Sequence, residues 1–230
     1  MHLNSELVFN KFGKEYFKEN MKILEIGADR LPTWYSQEVG NESIDWFTLD
    51  IQAHWDTIDI DSDKTKISKQ IISKYEYDYP IENETFDIVF SAQVMEHVKN
   101  IWKWMDELKR ITKPGGLIII IAPTSWPYHT APEVVDCWRI YPDGMKALME
   151  EKGLEIITNR FDSLEKDLIP DYVPTVPGAG FIKREDLDSK QTKKLFGYYK
   201  TISKIPYVRN LKTPITVSYD SICIVRKPLL

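Results

Sequence analysis

Apolar residues recur along the chain in two spacings, which predict alternating strands and helices. Short continuous apolar runs predict strands buried in a parallel sheet; they cover residues 22–27, 44–49, 67–75, 86–90, 117–121, 154–157 and 221–225. Apolar residues three or four positions apart predict helices; these cover residues 6–17, 101–111 and 142–152, the second ending before Lys113-Pro114-Gly115-Gly116. Strands that alternate with helices predict an α/β fold with a mostly parallel sheet.

Residues 161–216 interrupt this alternation. The segment is rich in proline, with Pro170, Pro174, Pro177, Pro206 and Pro214. Proline interrupts helices and central strands, so the segment predicts an insertion that caps one end of the sheet. The chain of 230 residues is expected to form one domain, 1–230, that includes this cap.

Composition limits the classes of protein and of partner. A net charge of -5 and a pI near 5.5 disfavour a protein that grips a phosphate backbone, so nucleic acid is an unfavoured partner. No apolar run is long enough to cross a bilayer, and residues 1–6 lack the features of a secretion signal. Cys137 and Cys223 lie far apart and suit a reducing compartment. The sequence therefore predicts a cytoplasmic protein without a membrane span.

Positive charge is concentrated in residues 182–212. This stretch has nine Lys or Arg residues and three acids. We favour a solvated surface for it. The alternative is a positively charged lid over an anionic acceptor, such as a phosphorylated or nucleotide-linked sugar, and nucleic-acid binding is a third choice.

Ligands of open α/β sheets bind outside the carboxyl ends of the strands. That rule selects residues 25–30, 50–52, 91–97 and 122–139. Gly27 would let the backbone approach a ligand, and Asp50, 23 residues later, would suit the hydroxyls of a ribose. This pair fits a nicotinamide or an adenosyl cofactor. In the alternative interpretation Gly27 only makes a turn and Asp50 caps a helix.

Several motifs together resemble class I S-adenosylmethionine-dependent methyltransferases of the small-molecule, sugar-modifying type. They occupy residues 23–28, 49–51, 86–91, 96–98 and 108–116, and include a Glu-His-Val element and an Arg-Ile-Thr-Lys-Pro-Gly-Gly block. The resemblance implies a Rossmann-like, doubly wound, seven-stranded sheet, mostly parallel with its last strand antiparallel. A nicotinamide-binding fold would instead have glycine at positions 27, 29 and 32, where this chain has Gly27, Asp29 and Pro32. The single glycine of this loop leaves a non-catalytic scaffold as an alternative.

The resemblance implies S-adenosylmethionine as cofactor and assigns residues to it. The implied cofactor-binding residues are Glu25, Gly27, Ala28, Asp50, Ile51, Asp78, Ser91 and Gln93. Asp50 would hold the ribose, and Ser91 and Gln93 would lie beside the sulfonium. An acid before Pro80 would hold the adenine amino group; Asp78 is preferred and Glu76 is the alternative.

The acceptor is expected to be a small molecule, with a sugar hydroxyl preferred. Its proton needs a base, for which His129 is preferred over His97, whose alternative role is structural. The implied acceptor pocket comprises Trp126, Tyr128, Asp136, Trp138 and Arg139. In the alternative, an Asp136–Arg139 ion pair merely holds the loop.

Two further expectations concern other ligands and acceptors. No Cys/His cluster has zinc spacing, so no metal site is predicted. Methylation of nucleic acid or protein is the less favoured alternative. Residues 91–94 read Ser-Ala-Gln-Val in place of the Asn/Asp-Pro-Pro-Tyr/Phe motif of many amino-methylating enzymes.

Overall fold

The computed structural model describes residues 3–28, 30–51, 59–60, 68–130, 134–168, 173–176, 179–183 and 212–229. Most of the basic stretch, and Asp29 and Pro132 of the predicted loops, lie outside these residues. None of the helices within these ranges combines the length and the apolar character that a bilayer crossing requires.

Twelve strands form one large and two small sheets. In chain order they are β1 (Lys22–Ile26), β2 (Arg30–Leu31), β3 (Asp45–Ile51), β4 (Asp59–Ile60), β5 (Ser68–Ser73), β6 (Phe86–Ala92), β7 (Thr112–Ser125), β8 (Glu155–Asp162), β9 (Val173–Val176), β10 (Ala179–Lys183), β11 (Lys212–Thr216) and β12 (Tyr219–Arg226). The central sheet has seven strands in the order β5-β3-β1-β6-β7-β12-β8. Only β12 runs against its neighbours in that sheet. The predicted seven-stranded, mostly parallel sheet is confirmed.

Four α-helices pack against the central sheet: α1 (Leu3–Val8), α2 (Trp34–Val39), α3 (Ile101–Ile111) and α4 (Pro142–Glu151). The predicted helix 6–17 is not continuous. It begins at Leu3 and widens into a π-helix at Phe9–Gly13, which a 3₁₀ turn follows. Gly13 fits this wide turn closely, because a Cβ there would lie 3.2 Å from the Phe9 ring.

The predicted turn after α3 is part of β7. Its strand begins at Thr112, and Gly115 bulges from it with φ of +76°. Gly116 lies against the neighbouring strand, where a Cβ would meet the Asp87 carbonyl oxygen at 2.9 Å. The helix therefore passes into the strand without a separate loop.

The core lies on both faces of the central sheet. Successive strand residues point to opposite faces, so Leu24 packs with α3 and α4, whereas Ile23 packs with Phe9 and α2. Both clusters are fully buried at these positions. Continuous apolar runs were therefore a correct signal of strands covered on two sides.

The described part of the cap contains a separate three-stranded sheet, with β10 between β9 and β11. Both pairs are antiparallel. The predicted start of the cap at residue 161 falls within β8, which ends at Asp162.

Candidate functional site

A cavity of about 690 Å³ opens at the carboxyl ends of β1, β3 and β6. From β1 the chain continues to β3, the neighbour of β1 towards one edge of the sheet. From β6, the neighbour of β1 on its other side, it continues to β7 towards the opposite edge. The cavity therefore lies at the switch point, where ligands of such sheets bind. Its volume is that of a site for a small molecule or cofactor.

Gly27 forms the part of the wall that follows β1. Its φ is +77°, and a Cβ on it would lie 2.2 Å from Val94 Cγ2. Its amide donates to the Leu49 carbonyl at 2.9 Å, which joins the ends of β1 and β3. A glycine is required here on both steric and conformational grounds. Ala28 follows it, fully buried and behind the cavity wall.

Glu25 lines the cavity and also organises the chain after β1. Its Oε2 accepts from Thr33 Oγ1 at 2.5 Å and from Trp46 Nε1 at 2.9 Å. Thr33 in turn caps α2, where its side chain accepts from the Ser36 amide. The buried carboxylate thus fixes β1, β3 and the start of α2 relative to one another.

Asp50 and Ile51 line the cavity at the end of β3. The Asp50 side chain is buried, and its Oδ1 accepts from the Ile51 amide at 2.7 Å. The interpretation of Asp50 as a helix cap is wrong, because Ile51 is still within the strand. An acid at this place is chemically suited to accept from two ribose hydroxyls.

The two acids before Pro80 differ in position. Glu76 lines the cavity, and its Oε2 accepts from the Lys99 amide at 3.1 Å. Asp78 is exposed, has φ of +76° and lies outside the cavity lining. Because Glu76 lines the cavity and Asp78 does not, Glu76 replaces Asp78 as the candidate for the adenine amino group.

We expect Glu76→Gln to weaken binding of S-adenosylhomocysteine by roughly tenfold or more, because a hydrogen bond to a charged acceptor contributes about 1.5–3 kcal/mol. Asp78→Asn is the matched control and should leave the dissociation constant unchanged. Calorimetric titration measures both. Weaker binding in Asp78→Asn alone would restore Asp78 to the site.

Gln93 follows β6 and reaches the cavity with φ of +58°. Its Nε2 donates to Asp220 Oδ1 at 2.9 Å, and Asn4 Nδ2 donates to Asp220 Oδ2 at 2.6 Å. Burial raises the pKa of Asp220 to about 6. Ser91 is buried behind the wall, and its hydroxyl has no hydrogen-bond partner among the described residues. Asp220 and Asn4, which position Gln93, were not predicted from the sequence.

A second group of lining residues brings together Glu96, His97 and His129. The two imidazole rings meet edge to face with their centroids 5.0 Å apart. His97 Nδ1 is 2.5 Å from the Val135 carbonyl oxygen, and its Nε2 is 3.8 Å from Glu96 Oε1. Desolvation lowers the pKa of His97 below its usual value. Desolvation also raises the pKa of Glu96, to about 8. Glu96 belongs to the Glu-His-Val element of the sequence, but it was not predicted to be a site residue.

The loop after β7 is held by an ion pair. Arg139 Nη1 and Nη2 donate to the two oxygens of Asp136 at 2.5 and 2.7 Å. Hydrogen bonds from Arg139, foremost, lower the pKa of Asp136 to about 2. Asp136 also accepts from the His129 amide at 2.8 Å, so the pair fixes the backbone at His129. These contacts are the ones expected if the Asp136–Arg139 ion pair holds the loop.

Of the five predicted acceptor residues, Trp126 lines the cavity. Tyr128 is 78% exposed, and Asp136 and Arg139 hold the loop from outside the lining. Trp138 donates from Nε1 to the Val98 carbonyl oxygen at 2.8 Å. Of the five predicted residues, Trp126 is therefore the one placed to touch a ligand in the cavity, and the other four lie outside its lining.

Acids dominate the charge of the cavity lining. Five acidic side chains line it within the described ranges: Glu25, Asp50, Glu76, Glu96 and Glu165. Glu76 pairs with Lys99 at 3.2 Å, and the raised pKa of Glu96, about 8, leaves that group mostly neutral at pH 7. The same ranges contribute no Lys or Arg to the lining. This wall favours a neutral or cationic ligand and supplies no partner for the anionic acceptor considered from the sequence.

Comparison with known proteins places this geometry in context. Residues 40–120 match the methyltransferase domain family. An uncharacterized methyltransferase of Mycobacterium bovis is 42% identical over 41 residues, which span 18% of this chain and 16% of that relative's length. The matched segment is thus a small part of either protein.

Solved structures resemble a larger part of the chain. A SAM-dependent methyltransferase of Aquifex aeolicus has a TM-score of 0.50 and 24% identity, over 68% of this chain and 82% of that one. Phosphoethanolamine N-methyltransferase 2 of Haemonchus contortus, solved with S-adenosyl-L-methionine, has a TM-score of 0.54 and 14% identity, over 97% of this chain and 52% of that one. At these identities the likeness identifies the fold, which is that of class I methyltransferases.

Proposed function

We propose that this chain, which has the class I methyltransferase fold, transfers a methyl group from S-adenosylmethionine to a hydroxyl of a small molecule, such as a sugar or a related metabolite. One observation carries the proposal. One cavity is lined by Gly27 and Asp50, which we call its first wall, and by His97 and His129, which with Glu96 form its second wall. The first wall suits the cofactor, and the second suits an acceptor that must lose a proton.

The residues of the first wall fit S-adenosylmethionine. Gly27 lines the cavity with a backbone that carries no side chain, and Asp50 and Glu76 offer carboxylates to ribose and adenine. Ile51 lines the same region and offers an apolar surface. When bound, the cofactor supplies an electrophilic methyl group. The task left to the protein is to align the acceptor and exclude water.

His129 and His97 are the candidates for the base on the second wall. The short contact of His97 Nδ1 with a carbonyl oxygen makes that nitrogen the donor, so its Nε2 carries the lone pair. His129 remains our preferred base, because its side chain is 39% exposed and that of His97 21%. A hydroxyl near either Nε2 could pass its proton there.

Two other functions compete with this one. A non-catalytic scaffold was suggested by the single glycine of the first loop, and methylation of nucleic acid or protein by the basic stretch. Among the described residues the acidic cavity favours a small neutral or cationic acceptor over a polyanion. We further propose that residues 161–216 select the acceptor as a cap within a single cytoplasmic domain.

Asp50→Ala should raise the dissociation constant of S-adenosylhomocysteine by roughly ten- to hundredfold, since a charged acceptor contributes about 1.5–3 kcal/mol per hydrogen bond. Asp45→Ala is the matched control. It removes an acid from the other end of β3, where Asp45 pairs with Lys69 at 3.2 Å on the surface. Calorimetry measures both variants, and equal affinities in all three proteins would remove Asp50 from the cofactor site.

The wild-type chain then tests the proposal as a whole. Measurable binding of S-adenosylhomocysteine separates it from the scaffold alternative. Methyl transfer is assayed with a panel of nucleotide sugars, glycans, small phenols and small amines. Transfer to a hydroxyl supports the proposal, whereas transfer confined to amines or to a macromolecule overturns its choice of acceptor.

A further inference from the structure

Three side chains of metal-ligating type converge on the second wall of the cavity. One ligand atom from each of Glu96, His97 and His129 lies within 4.8 Å of the others. Glu96 and His97 belong to the short turn after β6, and His129 comes from the loop after β7. Neighbouring strands thus deliver all three to one place.

Glu96 lacks the partners that a buried carboxylate requires. Its side chain is 1% exposed, and neither oxygen has a hydrogen-bond partner within the part of the chain that the structure describes. Burying a carboxylate without partners is costly, so such groups are protonated, paired or bound to a metal.

Both histidines are oriented through Nδ1. His97 Nδ1 lies 2.5 Å from the Val135 carbonyl oxygen, and His129 Nδ1 lies 3.1 Å from that of Pro127. Asp136 Oδ2 is a second acceptor for His129 Nδ1, at 3.5 Å. Arg139 Nη2 also lies 3.5 Å from His129 Nδ1, farther than the Pro127 carbonyl oxygen. The close carbonyl places the proton of His97 on Nδ1, so its Nε2 carries a lone pair, and the nearer acceptor favours the same tautomer for His129. A carbonyl or carboxylate behind Nδ1 is the usual support of a metal-ligating histidine.

We propose that Glu96, His97 and His129 bind a divalent transition-metal ion, with Zn²⁺ as the expected occupant. Two imidazoles and one carboxylate, with a fourth position left for water or substrate, form the ligand set of catalytic zinc sites. Mg²⁺ prefers oxygen ligands and should bind poorly.

Small movements would complete this site. Bonds of about 2.0–2.1 Å in tetrahedral geometry place ligand atoms roughly 3.4 Å apart. Glu96 Oε1 and His97 Nε2 are 3.8 Å apart. His129 must close the larger part of the gap, and its partly exposed side chain on a loop leaves room for that.

The role of the ion rests on the proposed function. An acceptor hydroxyl oxygen would take the open position, and the ion would lower the pKa of that hydroxyl, so that its proton leaves to solvent. The O–H bond breaks, and the oxygen keeps the electron pair. That pair would form the bond to the methyl carbon as the S–CH3 bond of the cofactor breaks, its electrons return to sulfur and S-adenosylhomocysteine leaves. In this form of the protein the histidines act as ligands rather than as bases.

The test is calorimetric titration of the chelator-treated full chain with ZnCl₂ and with MgCl₂. We expect one tight Zn²⁺ site, and Mg²⁺ binding weaker by more than about 100-fold. Glu96→Gln and His129→Asn should each weaken Zn²⁺ binding by more than about 100-fold. Cys137→Ser is the control for adventitious binding, because Cys137 is an exposed thiol beside the site, and it should leave the affinity unchanged.

A Co²⁺-loaded sample adds a spectroscopic measurement. We expect visible absorption typical of a tetrahedral site, without thiolate charge transfer, and its loss in Glu96→Gln. Absence of Zn²⁺ binding, or equal binding in wild type and Glu96→Gln, would overturn the proposal. Denaturant unfolding of Glu96→Gln separates a lost ligand from a lost fold.

The same samples keep the two proposals distinct. S-adenosylhomocysteine binding is measured on the chelator-treated protein, where it should persist. Zn²⁺ binding without cofactor binding would overturn the proposed function and leave the metal site. Methyl transfer that is unaffected by chelation, in a protein that binds no Zn²⁺, would leave the function and overturn the metal site.

Discussion

Turnover of His129→Ala should fall by about 10²- to 10⁴-fold with a confirmed acceptor, while the affinity for S-adenosylhomocysteine stays unchanged. That range is the usual contribution of general-base catalysis. His129 comes from the loop after β7 and Asp50 from the end of β3, so loss of the histidine should not disturb the residues assigned to the cofactor. Steady-state rates at saturating cofactor, with calorimetry of the same protein, provide the measurement.

Two companion variants define what the loss means. His129→Asn keeps an amide that can replace Nδ1–H beside the Pro127 carbonyl but removes Nε2, so it should be as slow as His129→Ala. His97→Ala tests the other candidate. A fall of less than about tenfold in both alanine variants would indicate that alignment alone carries the reaction. A large fall in His97→Ala alone would transfer the role to His97.

Gly27→Ala should lower the free energy of unfolding by about 2–5 kcal/mol. A non-glycine residue at positive φ costs about 1–2 kcal/mol, and overpacking adds about 1–3 kcal/mol. The added methyl group would overlap Val94 Cγ2, which a β-branched side chain cannot easily move away. Denaturant unfolding followed by circular dichroism measures the loss.

Gly40→Ala is the matched control for the backbone. Its φ is +63°, but its Cβ would have no neighbour nearer than the Gln37 carbonyl oxygen at 3.4 Å. Gly40→Ala should therefore lower the free energy of unfolding only by the cost of a non-glycine residue at positive φ, about 1–2 kcal/mol. Val94→Ala in the Gly27→Ala background should recover most of the overpacking. If both glycine variants lose the same free energy, the close approach of Val94 is not what excludes a side chain.

The sheet was predictable because its strands are buried on both faces and so carry uninterrupted apolar runs. The π-helix at Phe9–Gly13 was not, since a widened turn keeps nearly the same apolar spacing. The continuation of β7 through Lys113-Pro114-Gly115-Gly116 also escaped prediction. Proline and glycine usually end an element, and here a bulge accommodates them.

Residues of the candidate site could be predicted from the sequence only where each one lies at the end of its own strand. Gly27 and Asp50 follow their own strands, and both reach the cavity. The sequence did not distinguish Glu76 from Asp78, because it does not reveal the left-handed backbone at Asp78. The junction of Glu96 with His129 depends on the pairing of β6 with β7, a contact between segments far apart in sequence.

The position of β12 has a consequence for the order in which the protein folds. This strand follows all the others of the central sheet in sequence, yet it lies between β7 and β8 and is the only strand in that sheet that pairs with β8. It also carries Asp220, which joins Asn4 of α1 to Gln93 in the cavity. During synthesis β8 must wait unpaired until β12 emerges, so the edge beyond β7 forms late through contacts of long sequence separation. The growing chain therefore exposes an open strand edge, which is a site for aggregation or chaperone binding, until its last strand is inserted.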